Sequence, residues 1–423
     1  MNRALTNWAG NVTFGAARYH EPASVPELQQ IVAAARQVRA LGTGHSFNRI
    51  ADTAGDLVSV AALPRIIELD PDTATVRVSG GVRYGDLAVR VNEAGFALRN
   101  LGSLPHISVA GACATGTHGS GDANQILPAS VSAVEVVTAD GELVTVSRES
   151  DPDDFGGWVL ALGSLGIVVS LTLDLQPAFL MRQDIYDGVP QERLLDQLDE
   201  IFASAYSVSL FTDWQRPGRY QTWFKLRAEV GDTTPPAPTR FGGTAADSGR
   251  HPIPQLTGED ATQQLGVVGP WHERLPHFRP EFTPSKGDEL QSEYLFPREH
   301  AAEAINALSE MGSLLAPILL VSEIRTVAAD GLWLSPAYHQ DSMAFHFTWI
   351  RDLEAVTPVL VEIERVLAPF EARPHWGKVF VAGPEQVSPL YQRYHDFQRL
   401  LARQDPSGKF RNELIDRYFA VPG

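Results

Sequence analysis

Residues 102–121 read GSLPHISVAGACATGTHGSG, a run built almost wholly from Gly, Ala, Ser and Thr with two histidines. Side chains this small cannot pack a core among themselves, so the run has to lie against something larger. What it permits is close approach, because its backbone amides and hydroxyls stay open to donate to a long ligand stretched along the chain. A flexible linker would be polar throughout. Here Ile107, Val109, Ala110, Ala112 and Ala114 interleave with the polar positions, as expected of a buried loop. The segment predicts a fold built around an extended, diphosphate-bearing cofactor.

Upstream, LGTGHSFNR at 41–49 ends a short apolar strand in two glycines and then presents a histidine. Gly42 and Gly44 let amides come close to a phosphate, and His45 sets a nucleophilic ring nitrogen beside it. An NAD-type fingerprint would place a third glycine at position 47. Phe47 stands there instead. A phosphate loop with a histidine in it points to a tethered cofactor.

Charge narrows the partners. With 34 Lys plus Arg against 51 Asp plus Glu the net charge is −17, which repels phosphate backbones and anionic lipid and leaves neutral or cationic small substrates. The 423 residues, 44% of them hydrophobic, suffice for a large core split between two domains. The single cysteine, Cys113, excludes an intrachain disulfide and reads as a small packed hydrophobe rather than a redox group. The start, MNRALTNWAGNVTF, lacks an apolar leader segment, and no apolar run is long enough to span a bilayer. A soluble cytoplasmic protein is expected.

Period and punctuation give the elements. Ser24 with Glu27 makes a capping box ahead of Leu28, Ile31, Val32 and Ala35 at helical spacing. Strands are expected near 57–60 and 75–79, a helix over 84–94 closed by Gly95, and a hairpin of 131–138 with 142–147 turned at Asp140 and Gly141. Residues 166–175, GIVVSLTLDL, alternate as a strand that Pro177 ends. Beyond it 206–214 and 220–228 predict an antiparallel hairpin, followed by a Pro-rich, loop-like stretch over 231–285. The fold class is α+β, with a second domain of antiparallel sheet plus helices.

Two later strands carry polar residues on one face. In VSEIRTV the period of two puts Glu323 and Arg325 together, with Ser322, Ile324 and Thr326 opposite. In MAFHFTWI, Met343, Phe345, Phe347 and Trp349 form the apolar face and leave His346 and Thr348 on the other. Either these pairs are a solvated outer face or they line one pocket. The histidines of WHERLPH at 271–277 have no carboxylate or cysteine partner at ligand spacing, so no metal site is expected.

The GHS loop and the SxxGxxxTGTHGSG segment, taken with YSVSLFTDW at 206–214, GPWHERLPHFRPEFTPS at 269–285, SEIRTVAAD at 322–330, HFTW at 346–349 and RPHWGKVF at 373–380, resemble the vanillyl-alcohol-oxidase family of flavoproteins, and within it the alditol oxidases. The resemblance implies a two-domain fold with an FAD-binding domain over 1–178, an antiparallel-sheet substrate (cap) domain over 179–374, and a return to the FAD domain over 375–423, where DPSGKFRNEL at 405–414 matches. It implies FAD bonded covalently to His45, with Leu41, Gly42, Thr43, Gly44, Ser46, Ser103, Ser108, Gly111, Thr115, Gly116, Thr117, His118, Val168 and His375 around the cofactor.

For the substrate it assigns Ser103, Glu323, Arg325, Thr348 and Lys378 to a polyol, with His346 close by. A carboxylate, a guanidinium fork and hydroxyls suit a row of OH groups. The implied reaction removes hydride from a terminal primary alcohol such as that of xylitol or sorbitol, giving the aldose, with O2 reduced to H2O2; a dehydrogenase using another acceptor stays open. Lys378 is the first candidate base, its pKa lowered by burial and Arg325, and His346 is the second. The alternatives are a sugar-1,4-lactone oxidase or dehydrogenase of the same superfamily and a non-catalytic flavin- or sugar-binding protein. A monomer is expected, and the preferred alditol and the bonded imidazole nitrogen are left open.

Overall fold

The computed structural model describes residues 5–214, 220–282 and 287–420. The end of the 269–285 word lies outside the described residues.

Near the amino end, Ser24 caps the helix Val25–Ala34 by accepting from the Glu27 N–H, while the Glu27 carboxylate reaches back to the Ala23 N–H. The helix buries Leu28 and Val32 and delivers the chain to the strand Val38–Ala40. That strand and Arg18–His20 pair in parallel with either side of Asp56–Val58. A five-stranded antiparallel sheet follows, in the order Ile67–Asp70, Thr75–Ser79, Ile167–Asp174, Val131–Val137, Leu143–Ser147. Its Val76, Val78, Val134, Val136, Leu171 and Leu173 are buried, the alternation that a sheet packed on one face requires.

The 102–121 run is not a loop throughout. Residues Val109–Thr115 form a helix, with Ser108 at its N-cap position and Gly116 ending it in the left-handed conformation at φ 77°. The alanines that read as loop packing are good helix formers, and a glycine takes the positive φ of a helix end at no steric cost.

The second half is organised on a ten-stranded sheet. Ser207–Thr212 pairs antiparallel with Tyr220–Ala228 on one side and with Leu319–Val327 on the other. Leu319–Val327 then pairs with Ser342–Ile350, and that strand with Glu289–Pro297. Register decides what meets: Glu323 lies directly across from His346, and His346 across from Glu293. One face of these strands packs Met343, Phe345, Phe347 and Trp349 into an apolar cluster with Val356, Leu360, Ile363 and Leu367 of the helix Leu353–Leu367. The other face is polar yet buried, so Glu323, Arg325, His346 and Thr348 do not form a solvated surface.

The carboxyl end docks on the first-half sheets. The Val38 N–H donates to the Lys409 carbonyl, and Phe410 packs with Val38, Val58 and Ile167. The guanidinium of Arg39 is buried and donates to the carbonyls of Gly163, Phe410, Leu162 and Ile50. Among the described residues no helix is long and apolar enough to cross a membrane.

Candidate active site

One large cleft, about 280 Å³ in volume, runs between the glycine loops and the polar face of the ten-stranded sheet. At the glycine end Gly42 and Gly111 face each other across Ser108. A Cβ on Gly42 would stand 2.7 Å from Ser108 Oγ, and one on Gly111 would stand 2.8 Å from it. Ser108 Oγ is buried with no hydrogen-bond partner, a costly state for a hydroxyl. Two bare backbones beside an orphaned hydroxyl make a cradle that fits an anionic, extended group such as a diphosphate.

His45 follows Gly44, whose φ of 71° needs glycine and whose carbonyl accepts from the Trp8 N–H. The Trp8 ring stacks on the imidazole at 5.1 Å, and Thr43 Oγ1 lies 3.0 Å from His45 Nδ1. Burial, helped by His106 and Arg83, pushes the His45 pKa down to about 4. The ring is therefore neutral at pH 7 and keeps a free lone pair, as a nucleophilic nitrogen must. The loop is clamped to a later segment: the Phe47 N–H donates to the Gly377 carbonyl, and the Asn48 amide to the carbonyls of Trp376 and Lys378.

At the sheet end Glu293 is the hub. It is 2% exposed. One oxygen accepts from Arg325 and lies 3.3 Å from His118 Nε2; the other accepts from Lys378 Nζ at 2.7 Å. Burial opposes the charge, but Arg325, Lys378 and His118 prevail and hold the carboxyl well below the usual range. Lys378 Nζ is also 2.6 Å from His346 Nδ1, and His346 Nε2 is 3.2 Å from Thr348 Oγ1. Burial lowers the Lys378 pKa and pushes that of His346 down to about 4. His375 lines the same cleft, its Nδ1 accepting from the Gly377 N–H.

A second buried chain ends on Glu323. Its Oε1 is 2.8 Å from His277 Nε2, and His277 Nδ1 is 3.1 Å from Lys225 Nζ. Its Oε2 is 3.7 Å from Arg325 Nε. Burial disfavours the ionised carboxylate, yet Arg325 and His277 hold the Glu323 pKa below its ordinary value.

The cleft thus gathers residues 41–46, Ser103, Ser108, Gly111, Thr115, Thr117, His118, Val168, Glu323, Arg325, His346, Thr348, His375 and Lys378. Gly116 is not on its wall and serves as the helix end. Cys113 is buried, 3.5 Å from the Tyr84 hydroxyl, and burial raises its thiol to about 12; it packs. Sequence reasoning missed Glu293 and Lys225 and gave His277 no role in the site. Glu289, Gln291 and Glu293 alternate along one strand just as Glu323 and Arg325 do, so the same period of two would have found Glu293. Among the described residues no group of three or more His, Cys, Asp and Glu is disposed to hold a metal.

The comparisons with known proteins agree with this layout. A family model described as an FAD binding domain matches residues 16–147, and one described as D-arabinono-1,4-lactone oxidase matches residues 287–418. The chain is 49% identical to an alditol oxidase from Streptomyces sp. (strain IKD472 / FERM P-14339), over 98% of this chain and 99% of the relative. It is 28% identical to L-gulono-1,4-lactone dehydrogenase of Mycobacterium tuberculosis, over 99% of each, and 28% identical to mouse L-gulonolactone oxidase, over 98% and 97%. A solved cholesterol oxidase from B. sterolicum superposes with a TM-score of 0.79 at 14% identity, over 98% and 96%, which is a likeness of fold. With its FAD-binding domain, its antiparallel second sheet and near-full-length identity to an alditol oxidase, the chain belongs to the alditol oxidases, FAD-dependent oxidoreductases of the vanillyl-alcohol-oxidase family.

Proposed function

We propose that the chain oxidises the terminal primary hydroxyl of alditols such as xylitol or sorbitol, with FAD bonded to His45. One observation carries the reading. Glu323, Arg325, Thr348 and His346 are brought by strand register to one buried wall, and the 375–378 segment sets the partly buried Lys378 against it, in the same cleft as the glycine cradle and the neutral His45. A dry wall of unlike donors and acceptors rejects apolar ligands and favours a row of hydroxyls. FAD, when bound, supplies the hydride acceptor and in an oxidase passes the electrons to O2, giving H2O2.

The proton falls to Lys378. A neutral amine has two N–H donors and one lone pair. Glu293 Oε2 and His346 Nδ1 stand within hydrogen-bond reach of Nζ and take the two donors, which leaves the lone pair for the substrate hydroxyl. After proton transfer Glu293 stabilises the ammonium. His346, with Nδ1 accepting, carries its proton on Nε2 towards Thr348 Oγ1 and so acts as an orienting group rather than the base. Arg325 donates from the same wall, and Ser103 lies in the cleft, its carbonyl bound by the His277 and Phe278 N–H groups. Domain limits at 178 and 374, a monomeric state and a cytoplasmic site belong to the same proposal.

The test has two parts. Xylitol added without air is expected to bleach the flavin absorption, and air to restore it with H2O2 released; L-gulono-1,4-lactone is expected to do so poorly. Lactone turnover without polyol turnover selects the lactone oxidases instead, and no bleaching with either selects a binding protein. Acid-precipitated protein is expected to keep its yellow colour and His45→Ala to lose it to the supernatant; colour lost from the native protein refutes the covalent bond.

A further inference from the structure

Lys225 is 1% exposed and lies on the strand Tyr220–Ala228, two strands away from Glu323. Its ammonium meets three acceptors: the carbonyls of Leu275 and Pro276 and the ring nitrogen Nδ1 of His277. All three N–H groups are thereby used. Because Nδ1 accepts, the proton of a neutral His277 sits on Nε2, which faces Glu323 Oε1 at 2.8 Å. The imidazole is boxed by Phe211 and Trp223, with ring centroids at 5.5 and 5.2 Å. Glu323 Oε1 is thus occupied, while Oε2, 3.7 Å from Arg325 Nε, faces an N–H that has no partner within the protein.

We propose that Lys225 is a positioning residue for the polyol site, acting through His277 to fix the imidazole tautomer and so keep Glu323 an oriented acceptor with one oxygen free for substrate. The inference rests on the polyol reading above. The charged and titratable groups that act on this chain are Arg325, His277 and His346 on Glu323, and, through space, Glu323 and Arg325 on Lys225. Burial pushes Lys225 down to about 7 and His277 to about 4, so between those values the imidazole is neutral while Lys225 is the three-donor ammonium that fixes its tautomer. Without Lys225, His277 is free to carry its proton on Nδ1. Nε2 then turns a lone pair towards Glu323, and the carboxylate must take up a proton or swing away.

The test uses holoenzyme and its variants Lys225→Met, His277→Gln and the pair. Lys225→Met is expected to raise KM for xylitol at least tenfold while kcat stays within about threefold and flavin content is unchanged, and to make KM fall with rising pH as Glu323 regains its charge. The pair is expected to cost no more than the worse single variant, since both break one chain. An unchanged KM, additive losses, or a parallel fall in kcat and flavin content overturns the proposal. Nitrogen NMR of His277 at about pH 6, where Lys225 is an ammonium, decides independently of substrate: an Nε2-protonated ring is expected in the wild type, changing in Lys225→Met, and an Nδ1-protonated wild-type ring refutes the proposal. Wild-type protein inert to polyols would sink the functional reading, whereas active protein with an Nδ1-protonated ring sinks this one.

Discussion

Lys378 is the residue on which the chemistry turns, and its protonation sets a sign that can be checked. Burial lowers its pKa, and the reactive form is the neutral amine. The kcat/KM for xylitol is therefore expected to rise with pH through one ionisation below the ordinary lysine range. Lys378→Met should lower kcat by about 10²- to 10⁴-fold, the usual worth of a positioned base, without releasing flavin on acid precipitation. A flat profile, or a variant of near-normal kcat, transfers the base elsewhere. The glycine cradle gives a residue-scale prediction of the opposite kind. Gly42→Ala sets a Cβ 2.7 Å from the buried Ser108 Oγ and is expected to lower the flavin content of purified protein. Gly331→Ala, which meets nothing within 4 Å, is the control that should keep it. Full flavin content in Gly42→Ala removes the cradle as the cofactor site.

At the scale of elements, the carboxyl-terminal helix Glu413–Phe419 is fastened by one amide. Asn412 Oδ1 caps it by accepting from the Ile415 N–H at 3.0 Å, and its Nδ2 lies 3.0, 3.0 and 2.9 Å from the carbonyls of Arg49, Ile50 and Asp52. Asn412→Ala loses the cap and the amide's bonds to the 49–52 turn, where the Ile50 carbonyl keeps Arg39 and the Arg49 carbonyl keeps the Asp52 N–H, so urea unfolding is expected to show a loss of about 1–2 kcal/mol; a loss under about 0.5 kcal/mol would falsify the anchoring role. Elements also show what sequence makes legible. The period of two correctly separated Glu323, Arg325, His346 and Thr348 from Met343, Phe345, Phe347 and Trp349, because alternation is a local property. It did not say whether the polar face was wet, since that depends on register with Glu289–Pro297 and on the cover supplied by residues 251–253 and 277–278. The 109–115 helix escaped for a different reason: a short run of alanine and glycine carries no amphipathic period, so only its left-handed Gly116 marked an end. Lys225 was least legible. In TWFKLRA it reads as an outward lysine, and only the fold of 275–277 around it supplies three acceptors.

The molecule as a whole holds an uneven share of buried titratable groups, and the imbalance predicts its response to acid. His277 and His346 are pushed down to about 4 and His375, His251 and His272 are also lowered, each with burial as the first cause. His45 is excluded, because alkylation by flavin would change its titration. In the unfolded chain these rings protonate near pH 6.5. Between about pH 6.5 and 4 the unfolded state therefore binds more protons than the folded one, and stability falls as pH falls. Three carboxyls oppose this: Asp330, raised to about 6, and Asp184 and Glu364, raised by burial; they favour the folded state as it takes up protons. Five rings against three carboxyls, of which only Asp330 is shifted far, leave the histidines in control. Below that window Glu293 and Glu323, whose folded pKa values are depressed, lose their contribution as well, so nothing restores stability on further acidification. The urea midpoint of the holoenzyme is expected to drop steadily from pH 7 to pH 4.5, and His346→Gln, which keeps a neutral polar group there, should flatten part of the slope. A midpoint that holds or climbs over that interval would show that the sheet face is wetted and its imidazoles free to protonate. A dry wall for a polyol would then be lost with it.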